Sequence, residues 1–167
     1  MSDTLITVIA IALAAILMLV FPLMTTADRA DDTAQVMLQT ETDSFAINVA
    51  NTGKLTLEDY DKFVQTISGP NAYDVDFEIK ILDENVGKKS IQVNSNAIGE
   101  NSYYSEFTSQ IIDELKKNGA KKLKEGDIIT VTVKNSNKTM SQQLKFTVED
   151  ISKIIASSTQ TVTTNGK

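Results

Sequence analysis

The 167-residue chain has no cysteine and no histidine. Without cysteine there are no disulfides, thiol nucleophiles or thiolate metal sites. Without histidine the usual general base and the commonest metal ligand are missing. Together these absences remove most hydrolase, metalloenzyme and redox chemistries. Nucleophile and phosphate-binding motifs are missing too: the sequence holds no G-x-S-x-G, no S-x-x-K and no glycine-rich phosphate loop. No catalytic residue, metal ligand or cofactor is expected, and the chain reads as a non-enzyme. Positive charge is scarce where it would matter for docking. Residues 1–60 carry eight acids and two bases, whereas the remainder balances. An acidic chain with no basic stripe is not built for nucleic acid or for electrostatic attachment to anionic lipid.

What the sequence does have is one long apolar run. Leu5–Met24 reads LITVIAIALAAILMLVFPLM, 20 residues without a charge. As a helix it would be about 30 Å long, the thickness of a bilayer's hydrocarbon core. A buried core helix is seldom so uniformly apolar. A cleaved signal peptide would want a basic leader and a shorter run, although Thr25-Thr26-Ala27 loosely resembles a cleavage site. The expectation is a single-pass membrane helix. Pro22 sits near its far end, where membrane helices tolerate a kink. Ala10 and Ala14 form a small-xxx-small pair that would let a second helix approach closely. Arg29 is the only nearby base, and counted alone it would put the following domain in the cytoplasm.

No proline or glycine interrupts residues 25–52. Ala27, Ala30, Ala34, Met37, Leu38, Phe45 and Val49 recur at three- and four-residue steps, which predicts one helix from about residue 4 to about residue 51. Gly53 is placed to cap it. Asp28, Asp31, Asp32, Glu41 and Asp43 are expected on its solvated face. Carboxylates suit calcium, but their spacing does not resemble an EF-hand loop.

Beyond Gly53, Thr56 followed by Glu58 and Asp59 marks a helix start. Leu57, Tyr60, Phe63, Val64 and Ile67 give that helix an apolar face. Tyr73–Leu82 alternates strictly and reads as a half-buried strand, with Asp74, Asp76, Glu78 and Lys80 on the wet side. A turn over 83–87 and a short strand over 91–94 follow. Residues 101–118 are expected to be helical, with Tyr104, Phe107, Ile111, Ile112 and Leu115 inward and Gly119 as the cap. The lysine cluster at 116, 117, 121, 122 and 124 either complements the helix dipole or forms a binding patch. IITVTVKN (128–135) and TMSQQLKFTV (139–148) read as a hairpin around a polar turn. One or two helical turns would follow over 149–156, and the Ser/Thr-rich end is either loose or an edge strand.

The expected architecture is α+β: a long N-terminal transmembrane helix continuing into a helix packed on a small, mostly antiparallel sheet. Its parts are an anchor (1–25), a helical extension (26–55), a globular domain (56–156) and a flexible tail (157–167). This layout, with the exit LVFPLMTTADRADD and the stretches TGKLTLEDYDKFVQTI, YDVDFEIKILDENVGKK, LKEGDIITVTVKN and TMSQQLKF, resembles the TadE-like and pseudopilin-like proteins of tight-adherence (Tad) type IV pilus systems in Firmicutes. The resemblance implies a pilin-like structural or accessory subunit of a pilus or secretion assembly, with its domain outside the cytoplasm. It also implies partners in the bilayer, in other pilin-like or secretion-machine subunits, or in copies of itself. A type IV pilin's basic leader, peptidase site and early glutamate have no counterpart here, so leader processing and charge-paired packing do not carry over. The other reading is a membrane-tethered extracytoplasmic binding module unrelated to pili.

Overall fold

The computed structural model describes residues 2–69, 71–82, 103–145 and 154–166. Helix α1 (Ser2–Thr52) is followed by β1 (Lys54–Thr56), α2 (Leu57–Ile67), β2 (Tyr73–Leu82), β3 (Tyr103–Phe107), α3 (Thr108–Asn118), β4 (Ala120–Lys122), β5 (Ile128–Asn135), α4 (Met140–Leu144) and β6 (Ile155–Thr161). Four strands form an antiparallel sheet in the order β3-β2-β5-β6, and β1 and β4 pair antiparallel as a separate ribbon. The fold is thus α+β, with one long helix against a small antiparallel sheet.

The long helix runs on through Pro22, meets no further proline or glycine over residues 25–52, and ends at Gly53. There the backbone turns left-handed (φ +63°) and the Gly53 N–H donates to the Val49 carbonyl at 2.9 Å. Glycine is required for a second reason. A Cβ at this position would lie 2.0 Å from the Thr164 carbonyl oxygen, because the C-terminal segment crosses the helix end here. The Gly53 carbonyl accepts from Leu123, whose own carbonyl accepts from Gly166.

The core lies between α1 and one face of the sheet. Leu38, Phe45, Ala46 and Val49 from α1 meet Phe77 and Ile79 from β2, Ile129, Val131 and Val133 from β5, and Ala156 from β6. Phe63 and Ile67 of α2 and Ile111 and Leu115 of α3 close the sides. Phe45 stacks on Phe63 with ring centroids 4.3 Å apart and tilts against Phe77 at 6.0 Å. The expected α1 stripe is present at Ala27, Leu38, Phe45 and Val49, but Met37 is exposed and Ala46, outside the stripe, is fully buried.

Strand β2 and helix α2 have the expected bounds. The Thr56 side chain accepts from the Asp59 N–H at 3.0 Å and so caps α2. Three expectations fail. First, residues 103–107 are a strand rather than the start of a helix, pairing with β2 from Leu82↔Tyr103 to Glu78↔Phe107. Tyr103, Tyr104 and Phe107 favour a pleated surface, and the helix begins only at Thr108. The Thr108 hydroxyl accepts from the Phe77 N–H at 2.8 Å, taking over where the strand ladder ends. Second, residues 140–144 are helical, so the 128–135/139–148 hairpin does not form. Thr139 and Gln142 make a capping box: the threonine hydroxyl accepts from the Gln142 N–H, and the glutamine carbonyl from the Thr139 N–H. Third, the strand that joins β5 on the side away from β2 is β6, in the register Val131↔Ser158. Of the two alternatives for the Ser/Thr-rich end, an edge strand is therefore observed in place of a flexible tail, and Val162 just beyond it is fully buried. The expected turn at 83–87, the strand at 91–94 and most of the helical turns at 149–156 lie outside the described residues.

Candidate functional site

The most unusual surface on the molecule is the first half of α1. Twelve large apolar side chains between Leu5 and Leu23 are 51–80% exposed. Moving one such side chain out of water is worth about 1.5–3 kcal/mol, so the set represents on the order of 20–35 kcal/mol. That exceeds the whole stability of an ordinary domain, roughly 5–15 kcal/mol. Mean hydropathy reaches 2.9 over the most apolar stretch of this helix, none of which is buried within the chain. Among the described residues α1 is the one helix long and apolar enough to cross a membrane. Ala10 and Ala14 lie in this stretch, both exposed, a turn apart. Polar groups near the end of the run are satisfied internally. The Thr25 and Thr26 hydroxyls donate to the Phe21 and Pro22 carbonyls at 3.0 and 2.9 Å, the i−4 bond that Thr33 and Thr40 also make further along the helix.

The domain grips α1 immediately past this run. Ala27 is only 2% exposed, and Asp31 5%. The Thr139 hydroxyl donates to the Asp31 carboxylate at 2.7 Å. Asp28 accepts from the Ser141 hydroxyl and from the Lys145 amine, the latter at 2.7 Å. So Asp31 does not belong to a solvated face, and Asp28, its side chain 39% exposed, is engaged at the margin of one. α4 lays hydroxyls and an amine against them, and the capping box that forms α4 is what presents Thr139 and Ser141. Further along, the Gln35 side-chain amide pairs with both backbone groups of Ile155, at 2.5 and 2.9 Å, and Gln39 donates to the Ser157 carbonyl at 3.1 Å. These two glutamines occupy part of the outer edge of β6, an edge otherwise open to another strand. Sequence reading missed this clamp, though Thr139-x-x-Gln142 is a readable capping-box signature. Among the described residues no three His, Cys, Asp or Glu side chains converge on a common metal position.

The sheet face turned away from α1 is polar. The Thr130 and Thr159 hydroxyls bond to each other at 3.0 Å, as do those of Thr132 and Ser157. Asp76 pairs with Lys134 at 3.1 Å, and Glu78 accepts from Ser105 at 2.8 Å. An open groove of about 530 Å³ runs over this face between Asp76, Glu78, Thr130 and Thr132 on one side and Phe107 and Ser109 on the other.

The lysine cluster is divided. Lys116 and Lys117 sit in the last turn of α3. Lys121 instead points inward from β4 and bridges Glu106 at 2.6 Å and Glu114 at 2.5 Å, its side chain only 6% exposed. Burial alone would lower the Lys121 pKa. Its hydrogen bonds to the two carboxylates and their charges outweigh that, and the amine is held above its ordinary 10.5. Lys121 thus ties β3, α3 and β4 together. The chain matches no family model, no curated protein and no solved structure, so what it does must be read from its own residues.

Proposed function

We propose that the chain is a non-enzymatic structural or accessory subunit of a pilin-like assembly, type IV or Tad-like. Residues 5–24 hold it in the bilayer, and the α+β head stands outside the cytoplasm. The observation that supports this reading is continuity: one unbroken helix serves as both the apolar run and the core helix of the head. A domain that needs only to be confined at a membrane can hang on a flexible linker. A helix that runs on through Pro22 without a break makes the head follow whatever packing the apolar run adopts, which suits a repeating assembly. Ala10 and Ala14 are the close-approach positions for that packing.

The test is association of the full chain in a bilayer, read by cross-linking. Replacing Ala10 and Ala14 with leucine is expected to abolish cross-linked oligomers while leaving the head folded. Undiminished oligomers would count against helix packing at these residues. Protease shaving of intact cells is expected to remove the head and spare the apolar run. The groove beside Phe107 supports a second reading, a tethered binding module. In that case Phe107→Ala would abolish partner capture without touching oligomerisation.

A further inference from the structure

From its junction with α1 we infer that the α4 end of the head is seated in the lipid headgroup layer, with Met140 as a second membrane contact beside the helix. The inference rests on the proposed membrane anchoring and adds to it where the head sits. Asp28 lies four residues beyond Met24 and Asp31 seven, about 6 and 10 Å along the helix axis. The headgroup layer beyond the hydrocarbon is about 5–8 Å thick on each side. Side chains on α1 lean toward its N-terminus, which is toward the apolar run, so both carboxylates lie lower still. These are the groups that hold Thr139, Ser141 and Lys145. Met140, between two residues whose side chains grip α1, therefore sits at headgroup depth, and it is 67% exposed.

An independent observation agrees. Val20 and Met24, spaced with Ala27 and Asp31 along one side of the helix, are half-buried, whereas the rest of the run is exposed. On that side the protein covers the final turns of the apolar run itself. A head standing clear of the bilayer would leave them as bare as Leu19 or Leu23.

The absence of cysteine makes the test clean, since single cysteines can be labelled without background. Ile16→Cys, Met140→Cys and Glu125→Cys, the last near the Gly53 end, are each labelled with an environment-sensitive fluorophore. The full chain is placed in phosphatidylcholine–phosphatidylglycerol nanodiscs. At position 140 we expect strong quenching by headgroup-nitroxide lipid, and an iodide quenching constant several-fold below that at position 125. Position 16 should respond to acyl-chain nitroxide alone. If position 140 behaves like 125 while 16 remains shielded, the seated head is refuted and the anchor stands. If position 16 is itself open to iodide, both are refuted.

Discussion

The two halves of α1 share one backbone geometry and meet opposite surroundings. In residues 5–24 almost every apolar side chain faces outward. In residues 27–52 Ala27, Leu38, Phe45, Ala46, Val49 and Ala50 face inward and are buried, and only Val36, Met37 and Ile47 among the large apolar side chains stay exposed. The first half takes its environment from outside the chain and the second builds its own. Both halves are helical, the first even through Pro22. The difference lies in where tertiary partners exist, which is what sets most helix stability in proteins.

Phenylalanine truncation is the most direct way to break this comparison. Phe45→Ala removes a ring stacked on Phe63 and tilted against Phe77, and is expected to cost about 3–5 kcal/mol. Phe21→Ala, with its ring 65% exposed, should change head stability by less than about 0.5 kcal/mol. Urea unfolding of the full chain in micelles, followed by tyrosine fluorescence, would measure both; equal losses would mean the halves are not separate environments. Next in size is Gly53→Ala, at about 3 kcal/mol, since it combines a left-handed backbone with a collision against Thr164. Asp31→Ala should cost about 1–2 kcal/mol by orphaning the buried Thr139 hydroxyl. Its signature is faster amide exchange in α4 with the β2–β5 ladder unchanged.

The smallest effect is at alkaline pH. Because the Lys121 pKa is raised on folding, the folded state holds that proton more tightly. Its contribution is complete below the unfolded value of about 10.4 and is lost as pH rises through the folded one. Tyr60, raised mainly by burial and also by Asp61, acts in the same direction. Stability should therefore be flat up to about pH 10 and then fall, with a shallower fall in Lys121→Met. An equal decline in both proteins would assign it to Tyr60 or to groups elsewhere.

Much of the architecture can be read from local pattern. Tyr73–Ile81 alternates without a fault, Leu57–Ile67 carries its cap, and the long helix meets no proline or glycine between residue 25 and Gly53. The failures have local causes as well. Phe107 and Tyr104 fit a helical spacing and a strand equally well, and only pairing with β2 decides between them. TMSQQL alternates just enough to suggest a strand, while the reciprocal Thr139–Gln142 bonds favour a turn of helix. β6, with serines and threonines at most of its positions, has almost no hydrophobic signal, and its place is set by long-range pairing to β5. The α4 clamp on Asp28 and Asp31 was hidden for the same reason: its partners lie more than a hundred residues apart. Ala10 and Ala14 were legible as a pair, and both are exposed on α1.

The late position of Val162 bears on how the protein is made. The strand beside β5, and the buried Ile154, Ala156 and Val162 that go with it, emerge from the ribosome long after residues 5–24. The apolar run can be handed to a bilayer while the sheet still lacks its last strand. Until residues 154–162 arrive, β5 has an open edge and the core lacks Ile154, Ala156 and Val162, so the sheet is closed by the segment made last.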